Sequence, residues 1–418
     1  MRIMRLNREY SILVCDIVME YALYGLIFFL PISKAFIEIF ASLAILAFIV
    51  KKIISKSFVV HTPLNKFIFV YLAVCILSII FSTNVQISAR AFFFKLLENV
   101  LIFFIVAETI NSKKKMNIIL IVLMFSAALI CADGIFQFFT HIDFLRHRPW
   151  PYGAKPFTLH IKGPFASSND FAAYLAPLAI LSLSLFFHRF KKLSARIFSK
   201  FFPILLLICL FMSLSRGAWV GLFMGVFFLG FFVNKKSFLK FILSMLIAFI
   251  LLWQFLPQDK WNEINRFNLA GPGGRDRRIL SKISLEMFSG RPMFGLGLGT
   301  YMYNFERFNY DKKAYRWGAS YAHNCYLQMA AETGLFGLFS FLLLLIILFY
   351  KSIKRLKKIE LGFGRSLSVG LLAALFTYLI HSIFDTNLYN LDIGMLFWYL
   401  LGLSQANINY QIKINDKI

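Results

Sequence analysis

The chain has 418 residues, 59% of them hydrophobic, and carries 45 Lys and Arg against 20 Asp and Glu, a formal net charge of +25. A mean hydropathy of +0.70 excludes a water-soluble globular protein of this length, so the solvent is a bilayer. The basic residues fall in short clusters between apolar runs, which is how membrane proteins fix their orientation and argues against a nucleic-acid surface.

The basic N-terminus (Arg2, Arg5, Arg8) leads into an apolar stretch with no small-residue cleavage site and reads as a retained first span. About twelve apolar runs follow the spanning pattern, at 12–31, 35–50, 64–82, 89–110, 116–138, 170–188, 200–214, 217–233, 238–256, 329–350, 366–384 and 391–406. The second and seventh are short. Lipid demands internal backbone hydrogen bonding, and the period-2 alternation of barrel strands is absent, so the runs are helices. The expected fold is an all-α integral membrane protein of about twelve transmembrane helices. Residues 1–256 would hold the first nine, 257–322 a large external loop with a short amphipathic helix, and 323–418 the last three.

Basic clusters at Arg2/Arg5/Arg8, Lys51/Lys52/Lys56, Lys113 to Lys115, Arg189 to Lys200, Lys235/Lys236 and Lys351 to Lys358 occupy every second connection. That pattern places both termini in the cytoplasm. Two external connections are long, and long loops in compact domains are usually functional. Residues 139–169 contain Arg146, Arg148, Lys155 and Lys162 with His141, His147 and His160; residues 257–322 contain Arg266, Arg275, Arg277, Arg278, Arg291, Arg307 and Arg316. Basic loops on the side where basic residues are normally scarce point to an anionic, lipid-linked substrate. The five cysteines (Cys15, Cys75, Cys131, Cys209, Cys325) form no C-x-x-C pair and read as small buried apolar residues.

The large loop has internal punctuation. Gly271-Pro272-Gly273-Gly274 is a breaker cluster. Arg275 to Ser289 reads as an amphipathic helix with Ile279, Ile283, Leu285, Met287 and Phe288 partly on one face, ended by Gly290 and Pro292. Phe294 to Gly299 is a glycine-rich turn without the strand or spacing of a dinucleotide fingerprint.

Arg216 sits at an outer helix junction. Arginine deep in hydrocarbon costs about 2.5–3.5 kcal/mol, so it has a partner, a function, or a route for its side chain to the interface. Its guanidinium fork matches phosphate oxygens. Arg275 opens the loop helix, where free backbone N–H groups could help it hold a phosphate; Arg277, Arg278 and Arg291 could share the role or face headgroups. His323 precedes the tenth span, and a histidine can accept a proton at neutral pH; its bland reading is a capping or core residue. Asn324, then Glu332 with Gly334 and Gly337, make the stretch less generic. Asn169, in Gly163-Pro164-Phe165-Ala166-Ser167-Ser168-Asn169, reads as a helix cap. Arg90 and Lys95 add positive potential or anchor to headgroups. Asp385 orients an arginine or histidine, or caps a turn. No Asp-x-Asp or His-x-x-x-His occurs, so no metal or other cofactor is indicated and arginines would neutralise the phosphates.

Assembled in this order and topology, four stretches resemble the O-antigen ligase and O-antigen polymerase superfamily. They are Gly163-Pro164…Asn169…Ala172…Tyr174-Leu175, Ser215-Arg216, Gly274-Arg275…Pro292-Met293-Phe294-Gly295-Leu296-Gly297, and His323-Asn324-x-x-Leu327…Glu332-x-Gly334-x-x-Gly337. The resemblance implies a GT-C-type glycosyltransferase, inverting and metal-independent. It would take a glycan from undecaprenyl diphosphate at the periplasmic face of the bacterial inner membrane. The acceptor of a ligase is the lipid A–core oligosaccharide. The family's diphosphate-binding arginines match Arg216 and Arg275, with Arg291 and Arg90 as further candidates. Its loop-end histidine matches His323, which would activate the acceptor hydroxyl. Asn324, Asn169, Asp385 and Glu332 would support them. Expected partners are the lipid-linked donor, the acceptor and membrane lipids, not nucleic acid; the oligomeric state stays open. Alternatives are an O-antigen polymerase, with a lipid-linked acceptor, and a protein O-glycosylating relative. A polyprenyl-lipid transporter would instead need midplane charges and an inverted repeat, neither of which the sequence shows clearly.

Overall fold

A computed structural model describes residues 2–148, 160–188, 190–233, 235–236, 238–240, 242–243, 272–309 and 318–415. Most of the expected ninth span, the first part of the large loop, and Lys155, Arg189, Arg266, Gly271 and Arg316 lie outside the described residues.

The described residues are helical, with no strand among them. In chain order the helices are α1 (Arg2–Phe29), α2 (Lys34–Ser55), α3 (Asn65–Ile80), α4 (Val85–Ala91), α5 (Leu97–Thr109), α6 (Lys113–Thr140), α7 (Ser168–Phe186), α8 (Leu193–Met212), α9 (Arg216–Gly230), α10 (Pro272–Gly290), α11 (Tyr301–Phe308), α12 (Cys325–Leu356), α13 (Phe363–His381) and α14 (Leu391–Asn415). A π-helical turn, Phe92–Leu96, joins α4 to α5.

Six of these are long and apolar enough to cross a membrane: α1 from Arg8, α6, α7, α8, α12 and α13. They mark a multi-pass membrane protein, with fewer full-length apolar spans among the described residues than the twelve expected. The shortfall has local causes. The expected span 89–110 is interrupted by the π-turn. Helix α2 carries Lys34, Glu38, Lys51 and Lys52 within 22 residues. Helices α3 and α9 have only 16 and 15 residues. Helix α14 buries Ser404, Gln405 and Asn407.

Helix α7 is central: 78% of its apolar window is buried, against 33% for α1 and α8. Helix α13 packs on α7, α9 and α14, and α14 continues the layer onto α5. Helix α1 packs on α2 and α6, and α12 packs on α3 and α10. Close approach of α9 to α13 depends on a stripe of small residues, Gly217, Gly221 and Gly225. A Cβ at Gly221 would sit 2.7 Å from the Thr377 carbonyl, and one at Gly225 would collide with the Thr377 hydroxyl. Small residues at this spacing let helix backbones meet in lipid. That contact fixes Arg216, the first residue of α9, beside the end of α13.

Helix α12 is broken at Gly334 (φ 68°, ψ −167°). A break in a membrane helix frees backbone groups that lipid cannot satisfy. Here the glycine-rich segment after α10 satisfies them. Leu296 and Gly297 donate to the carbonyls of Ala331 and Glu332 (2.9 and 2.8 Å), and Leu335 and Phe336 donate to those of Pro292 and Met293 (2.7 and 3.3 Å). The segment is therefore wedged into the bundle. Its far side meets the end of α3, where the Thr83 amide donates to the Leu296 carbonyl at 2.8 Å.

At the opposite end of the bundle, part-buried cations are matched by carboxylates. Lys51 lies 2.7 Å from Asp16 and 2.6 Å from Glu108, and Lys115 lies 3.0 Å from Glu20.

Candidate functional site

The site forms where four helix ends converge: the start of α7, the α8–α9 turn, the start of α12 and the end of α13. Asn324 begins α12 as its N-cap, accepting from the amides of Tyr326 (2.9 Å) and Leu327 (3.0 Å). Side-chain oxygens at this position satisfy the free N–H groups of a first turn. Asn324 therefore builds the helix start, and His323, just outside it, takes a left-handed backbone conformation (φ 48°). Non-glycine residues there carry strain that is characteristic of functional positions.

His323 Nδ1 lies 3.1 Å from Asp385 Oδ1. The Asp385 side chain is 12% exposed and that of His323 37%. Burial pushes the Asp385 carboxyl up, but the His323 hydrogen bond and charge, the His381 charge and the Thr386 amide outweigh it and hold it below the usual carboxylate range. An ionised carboxylate can only accept, so Nδ1 is the donor in this pair, and in the neutral ring that leaves the lone pair on Nε2. Asp385 thus both orients the histidine and accepts from the Thr386 amide at 2.8 Å.

Asn169 is not the cap of α7. Ser167 takes that place, its hydroxyl accepting from the Asp170 amide at 3.1 Å. Asn169 lies within the first turn and accepts the Ser215 hydroxyl at 2.8 Å. That bond ties α7 to the turn before Arg216, whose Leu214 also has a positive φ of 53°. Arg216 itself is exposed.

The loop helix α10 decides which arginines face inward. Leu280, Ile283, Ser284 and Met287 are buried; Arg275, Arg278, Lys282 and Leu285 are exposed. Helical spacing of three and four residues puts Arg277 in line with Leu280 and Ser284. Arg277 is half-buried. Burial draws its pKa down, the charge of Asp385 acts against that, and the charge of Arg216 adds to it. So Arg277 lies within electrostatic reach of both, and a guanidinium keeps its charge under such a shift. Leu285, expected on the apolar face, is 51% exposed.

The remaining expected residues sit elsewhere. Arg291 donates from Nη1 to the Phe81 carbonyl at 2.7 Å and clamps the glycine-rich segment to the end of α3. Arg90 is exposed on α4. Glu332 is buried, and its carboxylate accepts from the amides of Gly299 (2.7 Å) and Tyr301 (3.2 Å) and from Gln328 Nε2 (3.3 Å). It holds the start of α11 rather than facing the site. Arg146, from the first long loop, donates to the Ile32 carbonyl.

Sequence reading passed over His381. It is buried at the end of α13, and its Cδ2 would lie 3.0 Å from a Cβ on Gly217. Its signal was weak, a lone histidine closing an apolar run. The inward setting of Arg277 was legible in principle, from its register with Leu280 and Ser284.

Residues 201–342 match a family model described as O-antigen ligase. The match includes Arg216, Arg277 and His323, while Asp385 and Asn169 lie beyond it. A comparison with curated proteins finds no match.

Proposed function

From a chain whose residues 201–342 match the O-antigen ligase model, we propose that the protein is an O-antigen ligase. It transfers a glycan from undecaprenyl diphosphate to the lipid A–core oligosaccharide at the periplasmic face of the inner membrane. The observation that carries this reading is the His323–Asp385 pair at 3.1 Å, with Arg277 within electrostatic reach of Asp385 and Arg216.

In the proposed reaction His323 Nε2 takes the proton of the acceptor hydroxyl, while Asp385 fixes the ring and stabilises the imidazolium. The hydroxyl oxygen attacks C1 of the donor sugar, opposite the diphosphate. The C1–oxygen bond breaks and its electron pair leaves with undecaprenyl diphosphate, inverting the anomeric centre. Arg216 and Arg277 stabilise the charge that grows on the leaving group, and fixed donors in a poorly hydrated site are effective at this. The proton on His323 then passes to water. The register of α10 favours Arg277 over Arg275 as the loop arginine.

The test is polysaccharide profiling of a strain lacking the protein, complemented with wild type or His323→Ala. Core-only lipopolysaccharide with accumulated long lipid-linked glycan, rescued by wild type alone, supports a ligase. Core bearing a single repeat unit would make the protein a polymerase, and an unchanged profile would remove both readings.

A further inference from the structure

A cavity lies at the other end of the bundle. It is about 1050 Å³ and is enclosed by α6, α7, α8 and the start of α13. The site described above lies at the beginning of α7, and this cavity reaches past its other end to His188. The nineteen residues of α7, at about 1.5 Å each, put the mouth of the cavity about 28 Å from that site, close to the thickness of the hydrocarbon layer.

The charged groups of the cavity stand at its mouth. Lys113, Lys191 and Lys192 stand there, all exposed, with His188 packed edge-on against Phe190 and Phe363. Among the described residues none of the three lysines has a carboxylate partner, whereas neighbouring Lys115 is paired with Glu20. No lining residue is acidic. Below the mouth the walls are mostly apolar, with Ser182 and Ser199 bonded to their own helix carbonyls, and Ile121, Phe125 and Phe198 open it sideways, each at least half exposed. Along α6 the lining runs from Lys113 to Ala128. That is about 22 Å, more than the ~15 Å depth of one hydrocarbon leaflet.

We infer that this groove binds an anionic phospholipid of the adjacent leaflet, its headgroup phosphate on Lys113, Lys191 and Lys192 and an acyl chain between α6 and α8. A water-soluble ligand would not need a lateral opening to lipid, and a zwitterionic lipid would gain little from three cations without a counter-charge. Basic pockets between membrane helices select anionic headgroups in this way. The inference does not depend on the glycosyl-transfer reading.

The test is native mass spectrometry of the full-length protein titrated with phosphatidylglycerol or phosphatidylcholine. Wild type should retain phosphatidylglycerol in preference. Substituting Lys113, Lys191 and Lys192 with alanine should weaken that retention by about fivefold per lysine, about a hundredfold together. Ala128→Trp, which fills the apolar part, should weaken retention of both lipids. A control set at exposed lysines outside the groove (Lys56, Lys66 and Lys357 to alanine) should change nothing. Equal retention of the two lipids, equal losses in the control set, or displacement of phosphatidylglycerol by undecaprenyl diphosphate at equimolar amounts would overturn the inference.

Discussion

At the lysine-rich end of the bundle, Lys51 sits between Asp16 and Glu108, and Lys52 shares Glu108. At the histidine end, Arg277 is half-buried within reach of Arg216, and the carboxylate that acts on it, Asp385, is hydrogen-bonded to His323. The first arrangement is self-neutralising and ties α1, α2 and α5 together. The second concentrates cations around an aspartate already engaged with a histidine. Ion pairs closed on themselves contribute to orientation and stability; cations near a carboxylate that is already hydrogen-bonded to a histidine suit an anionic substrate. The same residue types therefore serve different ends of one bundle according to how their counter-charges are placed.

Substitutions should separate the two ends. The largest effect is expected from His323→Ala, which should lower transfer by about 10³-fold in a reconstituted assay with protein at normal membrane levels, as loss of a general base does. Activity within threefold of wild type would remove the histidine from the chemistry. Next, Arg277→Ala should cost about 10²-fold, the scale of one lost charge-stabilising donor, while Arg275→Ala should stay within about threefold because it lies on the exposed face of α10. The reverse order would show that the register of α10 does not select the phosphate ligand.

Asp385→Asn should have a smaller effect on rate, about 10- to 100-fold, by loosening the ring of His323 and its tautomer. Its effect on stability should depend on pH. A carboxyl whose folded pKa lies below its unfolded value adds stability that is fully present above the ordinary range near ~3.9 and disappears as pH falls through the folded pKa. The stability gap between wild type and Asp385→Asn should therefore be flat at neutral pH and close only on strong acidification. A gap that closes nearer pH 6 would contradict the lowered carboxyl.

The smallest catalytic change is expected at the lysine end. Glu108→Gln leaves Lys51 and Lys52 without a shared partner and should cost about 1–3 kcal/mol of stability, reduced from a fully buried pair by residual exposure. Transfer per folded molecule should be unchanged. Gly221→Val belongs with it in size of destabilisation, since overpacking costs about 1–3 kcal/mol. It should also lower transfer, because the α9–α13 contact positions Arg216. A thermal-shift measurement alongside the transfer assay separates the two outcomes.

Much of this was readable along the chain, and the residues that were not share a cause. Each expected run within the described residues coincides with helix, because apolar runs in lipid have no other way to satisfy their backbone. The kink at Gly334 was written as a glycine, but nothing local says that Pro292 and Met293 would take up its hydrogen bonds. Asn169 looked like a cap because asparagine often is one; Ser167, two residues earlier, won that place and left Asn169 for Ser215, 46 residues away. Glu332 and Arg291 looked like site residues because they are charged, and they turned out to hold the glycine-rich segment in place.

The sequence by itself determined the solvent, the helical class, the helix positions and the short list of chemically capable side chains, because hydropathy, periodicity and residue type act over a few turns. Only the tertiary structure decided which of those side chains meet. His323 and Asp385 are 62 residues apart, and Arg216 opens α9 while Arg277 lies on α10, within the large loop. Their convergence comes from a glycine stripe, a broken helix and a buried carboxylate, whose effects are set by contacts across the bundle rather than along the chain.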